Sequence, residues 1–221
     1  MRQFKIRWLL LALVSSATVS GQVVVAYAVP AGTTSNQFIP NPLGMDFNVN
    51  LPIQVLSLGV FDSGQNGLTF DHVVRIYDRS TQLTVAVVTI PTGTAAALIG
   101  GSRFVSLLSP LVLPAGFQGS IVAEINPTDG NGNTHGGGGI STLNDGGGLI
   151  TFVGGGRVSD SGPGVFPARL DGGPVNRYLA GTFGFTAIPE PATWELLGLG
   201  LALAALYSKR RRAAVAAVNV R

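Results

Sequence analysis

The stretch "QVLSLGVFDSGQNG", residues 54–67, decides the fold class. From Gln54 to Phe61, Leu56, Leu58 and Val60 fall at every second position, which predicts a strand with those three on one face. The pattern stops at "DSGQNG", where Asn66-Gly67 is a strong turn dipeptide that predicts a tight hairpin turn with positive φ. The same signature recurs outward from there. His72 to Arg79 reads as a strand with Val74 and Ile76 facing inward, and Leu83 to Ile90 as another, rich in β-branched residues. Arg103 to Leu113 is strand-like but interrupted at Pro110, which predicts an edge or a bulge. In "SIVAEIN", 120–126, Ile121, Ala123 and Ile125 point one way and Ser120, Glu124 and Asn126 the other. Leu149 to Val153 is a short strand, and Tyr178 to Thr186 closes the series with Leu179, Phe183 and Phe185 on one face. Val29 to Leu51, rich in Pro, Asn, Thr and Gly, reads as an arm or an irregular first strand. Residues 127–148 and 158–174 read as long loops. Many short strands with Gly and Pro turns predict an all-β fold, an antiparallel β-sandwich or jelly roll.

The two ends differ from this middle. At the N-terminus Arg2, Lys5 and Arg7 precede an apolar run, Trp8 to Val14, and Ala26-Tyr27-Ala28 is an A-x-A cleavage site. The pattern is that of a secretory signal peptide over residues 1–28, which implies the Sec export machinery and Val29 as the first mature residue; Gly21 is a second candidate cut. At the C-terminus Pro189 and Pro191 flank Glu190 and hold that tripeptide extended. Leu196 to Tyr207 then carries no charge, and Lys209, Arg210, Arg211 and Arg212 follow. At about 1.5 Å per residue the apolar run reaches roughly 18 Å, against a hydrocarbon core of about 30 Å. The basic cluster would stay cytoplasmic. Three uses fit such a segment: a buried core helix, a permanent anchor, or a transient retention segment that an enzyme removes. Four consecutive bases fit the first poorly, and the short span fits the second poorly.

The order of a proline-Glu-proline element (Pro189, Glu190, Pro191), a short apolar helix and a basic cluster resembles the PEP-CTERM sorting signal of Gram-negative bacteria. The resemblance implies recognition by exosortase, a membrane transpeptidase, near Pro189-Glu190-Pro191. It also implies an inner-membrane stage and a host that makes exopolysaccharide. The nine residues Ala213 to Arg221 depart from the pattern, which ordinarily stops soon after the arginines. The middle of the chain, through 58–83, 100–116 and 176–191, is similar to a β-sandwich module of unknown function common in PEP-CTERM proteins; Tyr77 and Asp78 match its aromatic-Asp pair. The expected organisation is therefore a signal peptide (1–28), a sandwich domain (29–187), and a sorting signal with a short transmembrane helix and basic tail (188–221).

Charge and composition narrow the function. Between Val29 and Ile188 there are six arginines, no lysine and nine acidic residues, so the domain carries −3 while the whole chain carries +3. The basic pI belongs to the terminal segments, and a nucleic-acid partner is not expected. With no cysteine, neither disulfides nor thiolate metal sites can form. The two histidines, His72 and His135, are too few for a three-His zinc site. A glycosidase needs two carboxylates held about 5–10 Å apart, and among Glu124, Asp62, Asp71 and Asp78 nothing in the spacing selects a pair. No G-x-S-x-G elbow is present. Asp129-Gly-Asn131-Gly-Asn133 starts like a calcium loop, but position six is Thr134 and position twelve is Ile140, so the EF-hand motif fails. Oxygen-rich loops bind calcium in other geometries, which leaves calcium as an alternative to no cofactor at all. Candidate aromatics for a sugar platform are Tyr77, Phe117, Phe152, Phe166 and Tyr178. The expectation is a non-catalytic cell-surface or matrix protein associated with exopolysaccharide; a lectin-like module and a secreted hydrolase are the alternatives.

Overall fold

The computed structural model describes residues 21–124, 128–133, 141–173, 177–188 and 198–208. Its strands are, in chain order, β1 (Val24–Val25), β2 (Tyr27–Ala28), β3 (Leu43–Val49), β4 (Ile53–Phe61), β5 (His72–Asp78), β6 (Thr84–Ile90), β7 (Ala97–Ile99), β8 (Ser102–Leu113), β9 (Gln118–Glu124), β10 (Gly132–Asn133), β11 (Thr142–Leu143), β12 (Ile150–Val158), β13 (Arg169–Asp171), β14 (Tyr178–Leu179) and β15 (Gly181–Ala187). One sheet has the order β1-β15-β4-β8-β7 and the other β13-β12-β3-β9-β5-β6, with the small ladders β10-β14 and β11-β2 beside them. Each ladder among the described residues is antiparallel.

The two large sheets share one apolar core. Val55, Leu58, Val60, Phe183 and Phe185 from the first meet Leu43, Met45, Phe47, Val74, Ile76, Ile121 and Ala123 from the second. The Phe47 and Phe183 rings, one from each sheet, stand 4.7 Å apart between centroids. The sheets approach closely at Gly181, where a Cβ would meet Ile121 Cγ1 at 3.1 Å and the Ala123 nitrogen at 3.3 Å.

Most strands follow the period-2 reading, and four departures have physical causes. First, β3 lies in what read as an arm. Leu43, Met45, Phe47 and Val49 do alternate and are all buried, and β3 sits centrally between β12 and β9. Second, β4 carries a bulge between Val55 and Ser57. The extra residue resets the alternation, so Val55, Leu58 and Val60 are buried and Leu56 is only partly so. Third, Asp62 to Gly67 is not a hairpin. It carries the chain from β4 in one sheet to β5 in the other through a 3-10 turn, Ser63–Gln65. Gly67 does have positive φ, at 103°, as do Gly64 and Gln65, while Asn66 does not. Pro110, as expected, is exposed on a stretch of β8 beyond the short β7.

The fourth departure is at the N-terminal boundary. Residues 24–28, just before the expected boundary at Val29, pair with strands of the sandwich. β1 pairs with β15 (Val24 with Phe185, Val25 with Gly184), and β2 pairs with β11. The Ala26 amide donates to the Phe183 carbonyl at 2.9 Å. Tyr27 is fully buried, and its hydroxyl donates to the Ala180 carbonyl at 3.2 Å. Of the two alanines expected at the cut, Ala26 is a buried bend residue between β1 and β2, and Ala28 is the last residue of β2.

Candidate functional site

β15 leads directly into the C-terminal signal. Phe183 and Phe185 pin it to the core, and β1 and β4 hydrogen-bond it on either side. The pairing persists to Ala187 opposite Ile53, and the Ile188 amide reaches the Pro52 carbonyl at 3.3 Å. Pro189, the next residue, has no amide hydrogen with which to extend the ladder. Pro189, Glu190, Pro191 and Lys209, Arg210, Arg211 and Arg212 lie outside the described residues. Between them the chain is helical over 198–208, and all of that helix is exposed. Leu199, Leu201, Leu203, Leu206 and Tyr207 are each more than half accessible, so the apolar side chains have no cover from the sandwich. Among the described residues no helix is long and apolar enough to cross a membrane.

The groups weighed for catalysis are engaged within the domain. The Glu124 carboxylate accepts from Arg75 Nε at 3.0 Å and from the Gly164 amide at 2.7 Å. Asp62 is buried and bonds Arg103 Nε at 2.7 Å; Arg103 also donates to the carbonyls of Thr94 and Ala96, each at 3.2 Å. Asp71 accepts from the Thr92 amide at 2.8 Å. Asp78 accepts from the Ser80 hydroxyl and amide, which hold its carboxyl below the usual range. Asp46, on the outer face of β3, gathers Arg157 Nε at 2.7 Å, Arg79 at 3.5 Å and the Ser120 hydroxyl. His72 is buried, with Nε2 2.6 Å from Asp129 and Nδ1 3.1 Å from the Glu124 carbonyl oxygen. Burial disfavours the Asp129 carboxylate, but bonds from Thr69 and His72 outweigh it and hold the carboxyl below its ordinary value. His135 lies outside the described residues. In the oxygen-rich loop, Asp129 thus turns inward, and the Asn131 side chain is buried and accepts from Gln37.

The five candidate aromatics are not brought together as an exposed platform. Tyr77, Phe166 and Tyr178 are buried, and Phe117 and Phe152 are half-buried against the core. Phe166 stacks edge-on to Tyr77 and receives the Arg157 guanidinium 4.8 Å from its centroid. Burial pushes the Tyr178 hydroxyl up to about 12, and Asp171 beside it adds to the shift. An aromatic that the sequence reading passed over, Phe38, is 62 % exposed. It lines a cavity of about 230 Å³ with Ser35, Ser63, Asn66, Thr69, Thr128 and Asp129. Its sequence signal was its place, beside Ile39, in an Asn-rich, Pro-rich segment.

Residues 187–212 match the PEP-CTERM protein-sorting motif. No curated protein matches the chain. The motif begins at Ala187, the last paired residue of β15, so sorting element and sandwich share a residue. It implies an exported protein sorted by an exosortase to the cell surface or beyond.

Proposed function

We propose that this protein is a non-catalytic component of the cell surface or extracellular matrix, processed by exosortase at its C-terminal signal and associated with exopolysaccharide. The observation that carries the reading is the sorting motif at residues 187–212, running out of the last strand into a helix whose apolar side chains the sandwich does not cover. The uncovered helix holds the substrate in the inner membrane until processing, and the basic cluster sets its direction. Its short span is tolerated because flanking basic and aromatic side chains snorkel and a bilayer thins at modest cost. A non-catalytic role is supported by the carboxylates, which serve as internal anchors for Arg75, Arg79, Arg103 and Arg157.

The test replaces Pro189, Glu190 and Pro191 together by Ala. Fractionation with intact-mass measurement should find the variant in the membrane with its tail, and the wild type released without it. If mature wild-type protein still contains Lys209 to Arg212, the segment is a permanent anchor and the processing reading falls.

A lectin-like role is the second reading. One observation favours it: exposed Phe38 beside a cavity bordered by hydroxyl, amide and carboxylate side chains, the mixture of apolar face and polar groups that suits a sugar ring.

A further inference from the structure

The first described residues raise a conflict with the A-x-A motif. A cut after Ala28 would strip β1 and β2 from the sandwich. Fully buried Tyr27 would leave the core together with Ala26, the Ala26–Phe183 bond at 2.9 Å would be lost, and the β15 edge would lie open. The Asn144 amide would also lose its acceptor, the Ala26 carbonyl at 3.0 Å. These groups come from both sides of the β1–β2 segment, so that segment is held in place rather than lying on the surface as a leader remnant.

The sequence offers an earlier exit. Val19-Ser20-Gly21 ends in small residues, and Gly21 stands seven residues after the apolar run ends at Val14, whereas Ala28 stands fourteen after it. Val23, Val24 and Val25 would make the longer spacer apolar, and in the fold Val24 and Val25 form β1.

We infer that the export signal is hydrolysed at the Gly21–Gln22 bond or a few residues upstream, so that the mature protein keeps Gln22 and the β1 and β2 residues after it. Water adds across the amide, leaving a carboxylate on the released leader and an amine on the first mature residue. This rests on the export reading. It also places the two processing events together. A side chain on Gly21 would overlap Thr186 Oγ1, so the new N-terminus lies against the end of β15, one residue before the sorting motif begins. Leader and C-terminal helix therefore leave the sandwich from one end of one strand pair. That end faces the membrane while both are attached.

Peptide mass spectrometry of the protein exported by cells gives the first residue directly, including an N-terminal Gln that has cyclised and would block stepwise sequencing. A start at Gln22 or earlier, short of Met1, supports the inference. A start at Val29 overturns it and leaves the export reading intact. A chain that keeps Met1 overturns both. As a second arm, Ala28→Gln in the full-length protein should leave leader removal unchanged, because that residue is not at the cut. Accumulation of uncut precursor in this variant would overturn the inference even if the variant folds poorly, since leader removal is read by mass alone.

Discussion

Arg103 and Asp62 form the most enclosed arginine–carboxylate pair among the described residues, with side chains 7 % and 1 % exposed. Because Arg103 also bonds the Thr94 and Ala96 carbonyls, it ties β8 to the crossing segment and to the turn before β7. Removing one partner leaves a buried charge uncompensated, so Asp62→Ala should cost about 3–5 kcal/mol in a denaturant titration. Asp129 makes a separate pH-dependent contribution. Its carboxyl is lowered in the fold relative to an unfolded value of about 3.9, so the stabilisation is present above that value and is lost as pH falls through the folded one. Melting temperature should therefore drop more steeply below about pH 4 in the wild type than in Asp129→Asn. Neither role was legible in the sequence. Asp62 sits where turns favour Asp for local reasons, and its partner is 41 residues away. His72 is buried at the start of β5, and its partner across 57 residues carried no local signal.

At the scale of elements, the crossing from β4 to β5 is the segment most exposed to substitution. Gly67 has φ of +103°, and a Cβ there would lie 3.0 Å from Thr94 Cγ2 and 3.1 Å from the Gly93 carbonyl. Gly67→Val should lower stability by about 1 kcal/mol or more, read as a fall in the thermal midpoint. The strands themselves were largely legible, because β5, β9 and β15 each place one apolar row inward and one more polar row outward. Where legibility failed, a competing signal was present. The β4 bulge shifts the phase of its own alternation by one residue, and that depends on registry with β8 and β15 rather than on β4. β3 alternates cleanly, but Asn and Pro on both sides gave the surrounding segment the composition of a loop. The pairing of β1 and β2 was not legible because a small-x-small triplet around Tyr27 has the form of a cleavage site, and sequence alone does not tell a leader's apolar residues from those of an edge strand.

For the whole molecule, the sorting motif was the most legible feature, since three unlike elements in fixed order leave little room for coincidence. What the sandwich binds was least legible. The five aromatics singled out from the sequence are spent on packing, because an alternating strand reveals which residues share a face but not which face another segment will cover; the segment bearing Phe166 covers Tyr77. Phe38 is the aromatic left beside a polar cavity. If the protein holds exopolysaccharide there, Phe38→Ala should weaken retention on polysaccharide isolated from the host by roughly tenfold, the order of 1–3 kcal/mol for losing a ring contact, with an unchanged melting temperature. Equal retention of the two proteins would remove the lectin-like reading and leave the structural one.

The placement of β15 between β1 and β4 has a mechanical consequence. A protein held at its C-terminal end and dragged by flow receives the load at Ile188, in line with β15. The pull runs along the strand, perpendicular to the hydrogen bonds of both flanking ladders, so those bonds are strained side by side and do not open one after another as a zipper would. Such a shear-loaded strand yields at far higher force than a peeled one. β1 acts as the second jaw of that clamp.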